Sequence, residues 1–515
     1  MKAKGILTLL LLAGFTLAGC LGDDAEGDGG AGASGDDCDL GLYDSPDIRL
    51  TDPSVDPINQ DADAWDFEAT NIRTCSLPAI GWHPLRGDPA DPAGSDPHNY
   101  LGEIDMRGDL DLGAVAVLGL NEQPMVYLLD ISDRARPTVL STISQAATYL
   151  VDVKISDDGD YLFAASQNLP TNAAEIVTFL PEDPVGLAGP NGFTIYDIRD
   201  RASPQFVMTV PSVDDIGCHM LSHEIIAGTD VVFCVGQHVR AHGLIRTPAG
   251  PWGYLGAFDY MLPDGSGTLA PGACVNDIII AGDPTGLLCS GPHDMTVGVD
   301  EVDGTTLMTV SHWDEGLRVV DISDPDGAGF VTLGGWNGEG ATHYSGNVHT
   351  AMTFWVGDTR YVVASPELTS SGTVPSLWIL DGTDLSDLKF VGEWFHPGEY
   401  DSLGLYMTTH QWQVAPTGTN VSVEDVRIYM TYNHNGIWVL DFAKMLEGDH
   451  QGAILGYNLA RMPLVEADEV ANARLATWDV GLVDGHIYGS DRATGLWVFH
   501  YEGDELGDPA LNGFA

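Results

Sequence analysis

The chain predicts an all-β fold: a seven-bladed β-propeller, closed by an N-terminal strand that completes the last blade. Three observations carry this. First, one phrase returns about every sixty residues, as VYLLDIS (126–132), FTIYDIRD (193–200), LRVVDISDP (317–325), LWILDGTD (377–384) and IWVLDF (437–442). Its aspartates Asp130, Asp197, Asp321, Asp381 and Asp441 are 67, 124, 60 and 60 residues apart. Second, the double gap predicts a degenerate copy at Asp259 in YLGAFDY, 62 residues from either neighbour, and 59 residues past Asp441 the phrase recurs as LWVFHYE with His500 in place of Asp. Third, the repeats are β-branched and aromatic runs separated by Gly, Asp and Pro turns, with almost no helical periodicity. A unit of this length and texture is one four-stranded blade.

The fourth copy shows the blade most clearly. MTVGV, TTLMTVS, GLRVVDIS and FVTLGGW read as strands A to D, separated by turns such as EVDG and SDPDG. The phrase Asp is expected to cap the turn after strand C, and the apolar residues to pack between blades. The seventh copy ends in a polar tail with no outer strand, while LPAIGWHPL (77–85) resembles the strand D endings LGGW and VGEWFHP. The N-terminal segment is therefore expected to supply that strand and remove the open edge.

The phrase resembles the LVIVD-repeat family of extracytoplasmic propellers, with Leu317 to Pro325 as the best match. The resemblance runs from about Asn99 to the end and is weakest in the third copy. It implies the fold, and it implies no particular reaction, because fold and chemistry are separable.

The segments before the propeller point to a compartment. A positive start, an apolar run from Ile6 to Leu17 too short to span a bilayer, and the lipobox LAGC at 17–20 resemble a prokaryotic lipoprotein signal over residues 1–19. Lipidation of Cys20 would hold the mature chain on the outer face of a membrane. Residues 20–37 read as a flexible acidic linker, 38–76 as an irregular segment docked on the propeller, and 77–515 as the propeller itself. Six cysteines remain after Cys20, an even number suited to an oxidising compartment. Hairpin geometry pairs Cys218 with Cys234 and Cys274 with Cys289, and elimination leaves Cys38 with Cys75.

Seventy-five acidic against 21 basic residues give a formal charge of −54, which excludes nucleic acid as a natural partner. Partners are expected instead to be a membrane, through the lipid, and a surface protein or polysaccharide. No DxDxDG loop is present, so Asp105, Asp109, Asp111 and the Asp157-Asp158-Gly159-Asp160 turn read as solvated turn residues.

Histidine recurs in phase with the repeat. His98, His293, His349 and His410 precede their phrase Asp by 32, 28, 32 and 31 residues, and His219 precedes Asp259 by 40. Each would start a strand A and line one mouth of the central channel. The B–C loops open on that face and carry His312, His434, His238 and His242, with Asp314, Glu315 and Glu367 nearby. Two readings stand together here: a ligand site, holding a divalent transition metal or an anion, or inherited histidines bonded to neighbouring backbone. Two Pro- and Gly-rich insertions, 168–191 and 237–252, are expected to reach the same face as B–C loops.

No GxSxG, HExxH, Walker or dinucleotide motif occurs, so enzyme activity is not indicated. The leading expectation is a membrane-anchored binding or protein-interaction module. A metal-dependent hydrolase or lyase with a histidine-lined mouth is the alternative, and a purely structural surface component the third.

Overall fold

The computed structural model describes residues 74–83, 85, 101–119, 124–145, 149–167, 192–211, 217–236, 239–245, 253–260, 292–313, 315–324, 329–344, 348–366, 376–397, 408–433, 436–458, 477–491 and 495–513. They form seven antiparallel sheets. Blade 1 is β3 (Leu101–Arg107), β4 (Leu112–Val117), β5 (Met125–Asp130) and β6 (Thr138–Ser144); blade 2 is β7 (Val153–Ile155), β8 (Tyr161–Ser166), β9 (Gly192–Asp197) and β10 (Gln205–Pro211). Blade 3 is β11 (Leu221–Ile226), β12 (Thr229–Val235), β13 (Val239–Ile245) and β14 (Gly253–Tyr260); blade 4 is β15 (Asp294–Val299), β16 (Thr306–His312), β17 (Gly316–Asp321) and β18 (Val331–Trp336). Blade 5 is β19 (Thr350–Val356), β20 (Thr359–Ser365), β21 (Ser376–Asp381) and β22 (Lys389–Phe395); blade 6 is β23 (Thr408–Ala415), β24 (Arg427–Asn433), β25 (Gly436–Asp441) and β26 (Ile454–Asn458). Blade 7 takes β27 (Thr477–Val483), β28 (His486–Asp491) and β29 (Gly495–His500) from the C-terminal end.

The ring closes as the sequence predicts. β2 (Ala79–His83) pairs with β29 as the outer strand of blade 7, with Trp82 opposite Trp497. The sequence reading missed a second tie: β1 (Thr74–Cys75) adds a fifth strand to blade 6, opposite Asn458 and Tyr457. One N-terminal stretch thus spans two blades, and the Asn458 amide donates to Leu77 O between them (2.9 Å). The first strands of successive blades neighbour one another around the axis, including β27 and β3. Central strands such as β4 are buried throughout, whereas outer strands such as β6 alternate toward solvent. Packed aromatics, among them the fully buried Trp378, Trp394, Trp412, Trp438 and Trp497, fill the space between blades.

In every blade the pairing of strands C and D shifts register one to two residues before the end of C, at Leu128/Leu129, Val319/Val320, Ile379/Leu380 and Val439/Leu440 among others. Such a bulge sharpens the local twist that a radial blade requires. Glycine follows it where the next blade presses close: a Cβ on Gly81 would lie 1.9 Å from Ala135 O, and one on Gly334 1.6 Å from Leu385 O.

The bulge also corrects the third copy. There it falls at Gly243/Leu244 of β13, so Ile245 occupies the phrase-Asp position and Asp259 lies in the outer strand β14. The expected 237–252 loop is accordingly two features: strand C itself, which carries His242, and a separate C–D connection. Elsewhere the phrase Asp does what its position suggests. The Oδ1 atoms of Asp130, Asp321 and Asp381 accept the N–H two residues on at 2.8, 2.9 and 2.9 Å. Asp441 accepts Lys444 N (3.0 Å) and so caps the single-turn helix α1 (Phe442–Glu447).

Cys218 and Cys234 are disulfide-bonded, with Cα atoms 5.3 Å apart. Cys75 is also disulfide-bonded, while Cys20, Cys38, Cys274 and Cys289 lie outside the described residues. Among the described residues no helix is long and apolar enough to cross a membrane.

Candidate functional site: the axial channel

Four of the five in-phase histidines do come together. His219, His293, His349 and His410 open the inner strands of blades 3 to 6, and their rings form an arc that ends on Trp478 of blade 7. Successive ring centroids are 4.6, 4.1, 4.4 and 4.0 Å apart. Trp313, from the B–C turn of blade 4, packs on His293 at 4.4 Å. All four histidines are buried or nearly so.

Five of their nitrogens bond within the fold. His219 Nδ1 donates to Gln167 Oε1 (2.9 Å), which leaves Nε2 to accept from His293 Nε2 (3.0 Å). His349 Nδ1 bonds Thr350 Oγ1 (2.9 Å), and His410 Nδ1 donates to the carbonyl of Trp478 (2.6 Å). Burial lowers the pKa of His219 to about 4 and holds His293 and His349 well below the usual imidazole range, reinforced by neighbouring rings. These three imidazoles are therefore uncharged at neutral pH. Among the described residues no group of three or more His, Cys, Asp or Glu is disposed to hold a metal ion.

The remaining predicted residues separate from the arc. His312 is the last residue of β16 rather than a loop residue, buried, with its pKa lowered to about 3 by burial and then by Arg318. Glu315 closes the turn that follows, its N–H bonded to His312 O (2.6 Å). His98, His238, His434, Asp314, Glu367 and the 168–191 insertion lie outside the described residues.

One residue further along the inner strands is a polar layer that the sequence reading did not identify. Glu103, Asp152, Asp294 and Asp479 come from blades 1, 2, 4 and 7, with Thr350 and Gln411 at the same position of blades 5 and 6. Asp105 points into the channel one step deeper, buried rather than solvated as expected, because β3 continues to Arg107. Asp109 and Asp157, by contrast, are exposed turn residues as expected.

These carboxylates solve a backbone problem. An inner strand has no partner on its axial edge, so its N–H groups need acceptors. Asp479 Oδ2 accepts Ile104 N (2.8 Å), Asp105 Oδ2 accepts Ile155 N (2.6 Å) and Asp152 Oδ2 accepts Leu221 N (2.6 Å), each reaching the next blade. Asp294 Oδ2 instead takes Thr350 Oγ1 and the Gln411 amide, both at 3.1 Å.

Burial raises all five acids, Asp152 and Asp294 to about 6. Glu103 is raised well above the usual carboxylate range, by burial and then by the charge of Asp479, to which it is hydrogen-bonded. Lys154 is the cation among them. Burial alone would lower its pKa, but Asp152 at 3.2 Å and the other acids override this and hold it charged. Glu103, Asp105, Lys154, Asp294, Gln411 and Asp479 line a cavity of about 90 Å³, room for roughly three waters. The signal that would have exposed this layer was the residue after each in-phase His, as in His293-Asp294, His349-Thr350 and His410-Gln411.

Against known proteins, the LVIVD repeat matches residues 309–328, from β16 through the turn after β17. No curated protein matches the chain. Among solved structures, the β-propeller domain of Cps50 (Swd1) from Myceliophthora thermophila is 9% identical, with a TM-score of 0.43, covering 78% of this chain and 96% of that one. Sqt1 of Saccharomyces cerevisiae is 8% identical, with a TM-score of 0.45, covering 82% and 98%.

Proposed function

We propose that this LVIVD-repeat propeller is a binding or protein-interaction module, lipid-anchored through Cys20 to the outer face of a membrane. The observation that carries the reading is how the channel's polar groups are used. Imidazoles bond one another and the backbone, and carboxylates stitch inner strands, so the channel is the ring's fastening, and the faces and rim are left for recognition. The lipobox and the Cys218–Cys234 disulfide support an extracytoplasmic location. The acidic surface favours partners that carry positive charge.

Two measurements on the expressing cell test this. Detergent phase partition of the full chain against Cys20→Ser is expected to move the protein from the detergent to the aqueous phase. Surface cross-linking is expected to enrich one or a few proteins over a control lipoprotein. Unchanged partition sinks the anchor, and absence of any enriched protein sinks the interaction role.

A further inference from the structure

The ring's fastening occupies one tier of channel residues, and the next tier is only partly spent. Two positions along each inner strand from the stitching layer come Asp105, Lys154, Ser222 and Thr296 in blades 1 to 4, then Met352, Gln413 and Gly481 in blades 5 to 7. All of them line the cavity of about 90 Å³. It runs from the acids to Thr296, Val297, Gln413 and Gly513, which are partly exposed, so it opens on the face opposite the histidine arc.

Two polar groups here keep unused capacity. Ser222 lines the cavity and is only 8% exposed, yet its hydroxyl has no hydrogen-bond partner among the described residues. Asp105 spends Oδ2 on Ile155 N, whereas its Oδ1 takes no donor among them. Thr296, by contrast, donates to Ala351 O (2.9 Å). A hydroxyl buried to this degree without a bond is costly unless something in the cavity supplies one.

Charge in the cavity is also unbalanced. Glu103, Asp105, Asp294 and Asp479 line it against one lining cation, Lys154, which already pairs with a further acid, Asp152 (3.2 Å). These acids are not disposed as metal ligands. The missing charge therefore fits a cation held by hydrogen bonds rather than by coordination. The wall of blades 5 and 7 is less polar: Met352 lines it, and Met106 packs over Gly481, where a Cβ would lie 3.0 Å from Met106 Cγ.

We propose that this cavity binds a small primary ammonium carried on a short alkyl chain. Its N–H groups have Asp105 Oδ1, Ser222 Oγ and the lining carboxylates as acceptors, and its carbons lie toward Met106 and Met352. Room for roughly three waters matches a chain of about two or three carbons. The site adds a small-molecule ligand to the interaction role proposed above and stands or falls separately from it, since surface cross-linking reads only that role.

Equilibrium dialysis of the full chain in detergent micelles against labelled propylamine, at neutral pH and physiological salt, tests this. Saturable binding of propylamine is expected. Tetramethylammonium, which has the charge but no N–H, and propanol, which has the chain but no charge, should each bind at least tenfold more weakly. Ser222→Ala and Asp105→Asn should each weaken propylamine about tenfold, the loss of a hydrogen bond to a charged group, while Asp109→Asn, in an exposed turn, leaves it unchanged. Asparagine keeps an amide oxygen for Ile155 N, and unchanged melting curves check that the variants fold. Equal uptake of propylamine and tetramethylammonium leaves only attraction to an acidic surface and overturns the site. So does propylamine binding that neither Ser222→Ala nor Asp105→Asn alters, and so does the absence of saturable uptake, which would give the cavity to water alone.

Discussion

Two arcs of the same channel meet the same physical demand in opposite ways. Blades 3 to 6 begin their inner strands with His, whereas blades 7, 1 and 2 place Trp478, Gly102 and Val151 there and an acid, Asp479, Glu103 or Asp152, one residue on. Both sets are desolvated. Imidazole escapes the cost by shedding its proton and stacking, so burial lowers its pKa. Carboxylates keep their place by accepting strand-edge N–H groups and recruiting Lys154, and burial raises their pKa values. A repeat position thus dictates burial, and the residue in it decides how burial is tolerated.

The largest expected effect lies in the acidic arc. Lys154→Met should destabilise by ~3–5 kcal/mol, because it leaves buried charge unpaired, and Lys154→Met with Asp152→Asn should recover part of the loss in urea unfolding. Equal stability of the single variant and wild type would mean that the acids are fully protonated without it.

The histidine arc should respond to shape more than to chemistry. His349→Ala should cost about 3 kcal/mol for the cavity it opens, while His349→Phe stays within about 1.5 kcal/mol. Metal content of the purified protein should be the same for His349→Ala, His410→Ala and wild type. A fall in either variant would return these residues to the status of ligands.

The smallest effect per step, and the one that separates the arcs most cleanly, is the pH dependence. His219 titrates near 4 folded and 6.5 unfolded, so its contribution is present above 6.5 and lost as pH falls through that window, at ~1.4 kcal/mol per unit. Asp294 titrates near 6 folded and 3.8 unfolded, so its contribution is present below 3.8 and lost as pH rises to 6. Chemical denaturation across pH 3.5–7 should show His219→Phe removing the first slope and Asp294→Asn the second. Parallel curves for both variants and wild type would refute the assignment.

Much of the ring was legible. Spacing placed six of the seven phrases correctly, found the His500 copy and matched LPAIGW to the missing outer strand, because strand D of each blade must end against the next. The third copy misled for a definite reason. YLGAFDY has the texture of strand C, and counting cannot distinguish two adjacent strands of one meander; the bulge at Gly243/Leu244 can. The channel acids were hidden differently. Asp105 looks like a turn residue beside Asp109 and Asp111, and nothing local says that the strand runs on and faces the axis.

By itself, then, the sequence determined the repeat, the seven-fold count, the closing strand and the in-phase histidines, all consequences of periodicity and of the edges a sheet must not leave open. Only the tertiary structure decided what those histidines bond and that carboxylates stitch the inner strands around Lys154. Those facts depend on contacts between residues far apart in the chain, 375 positions in the case of Asp479 and Ile104. They exist only once the ring has closed.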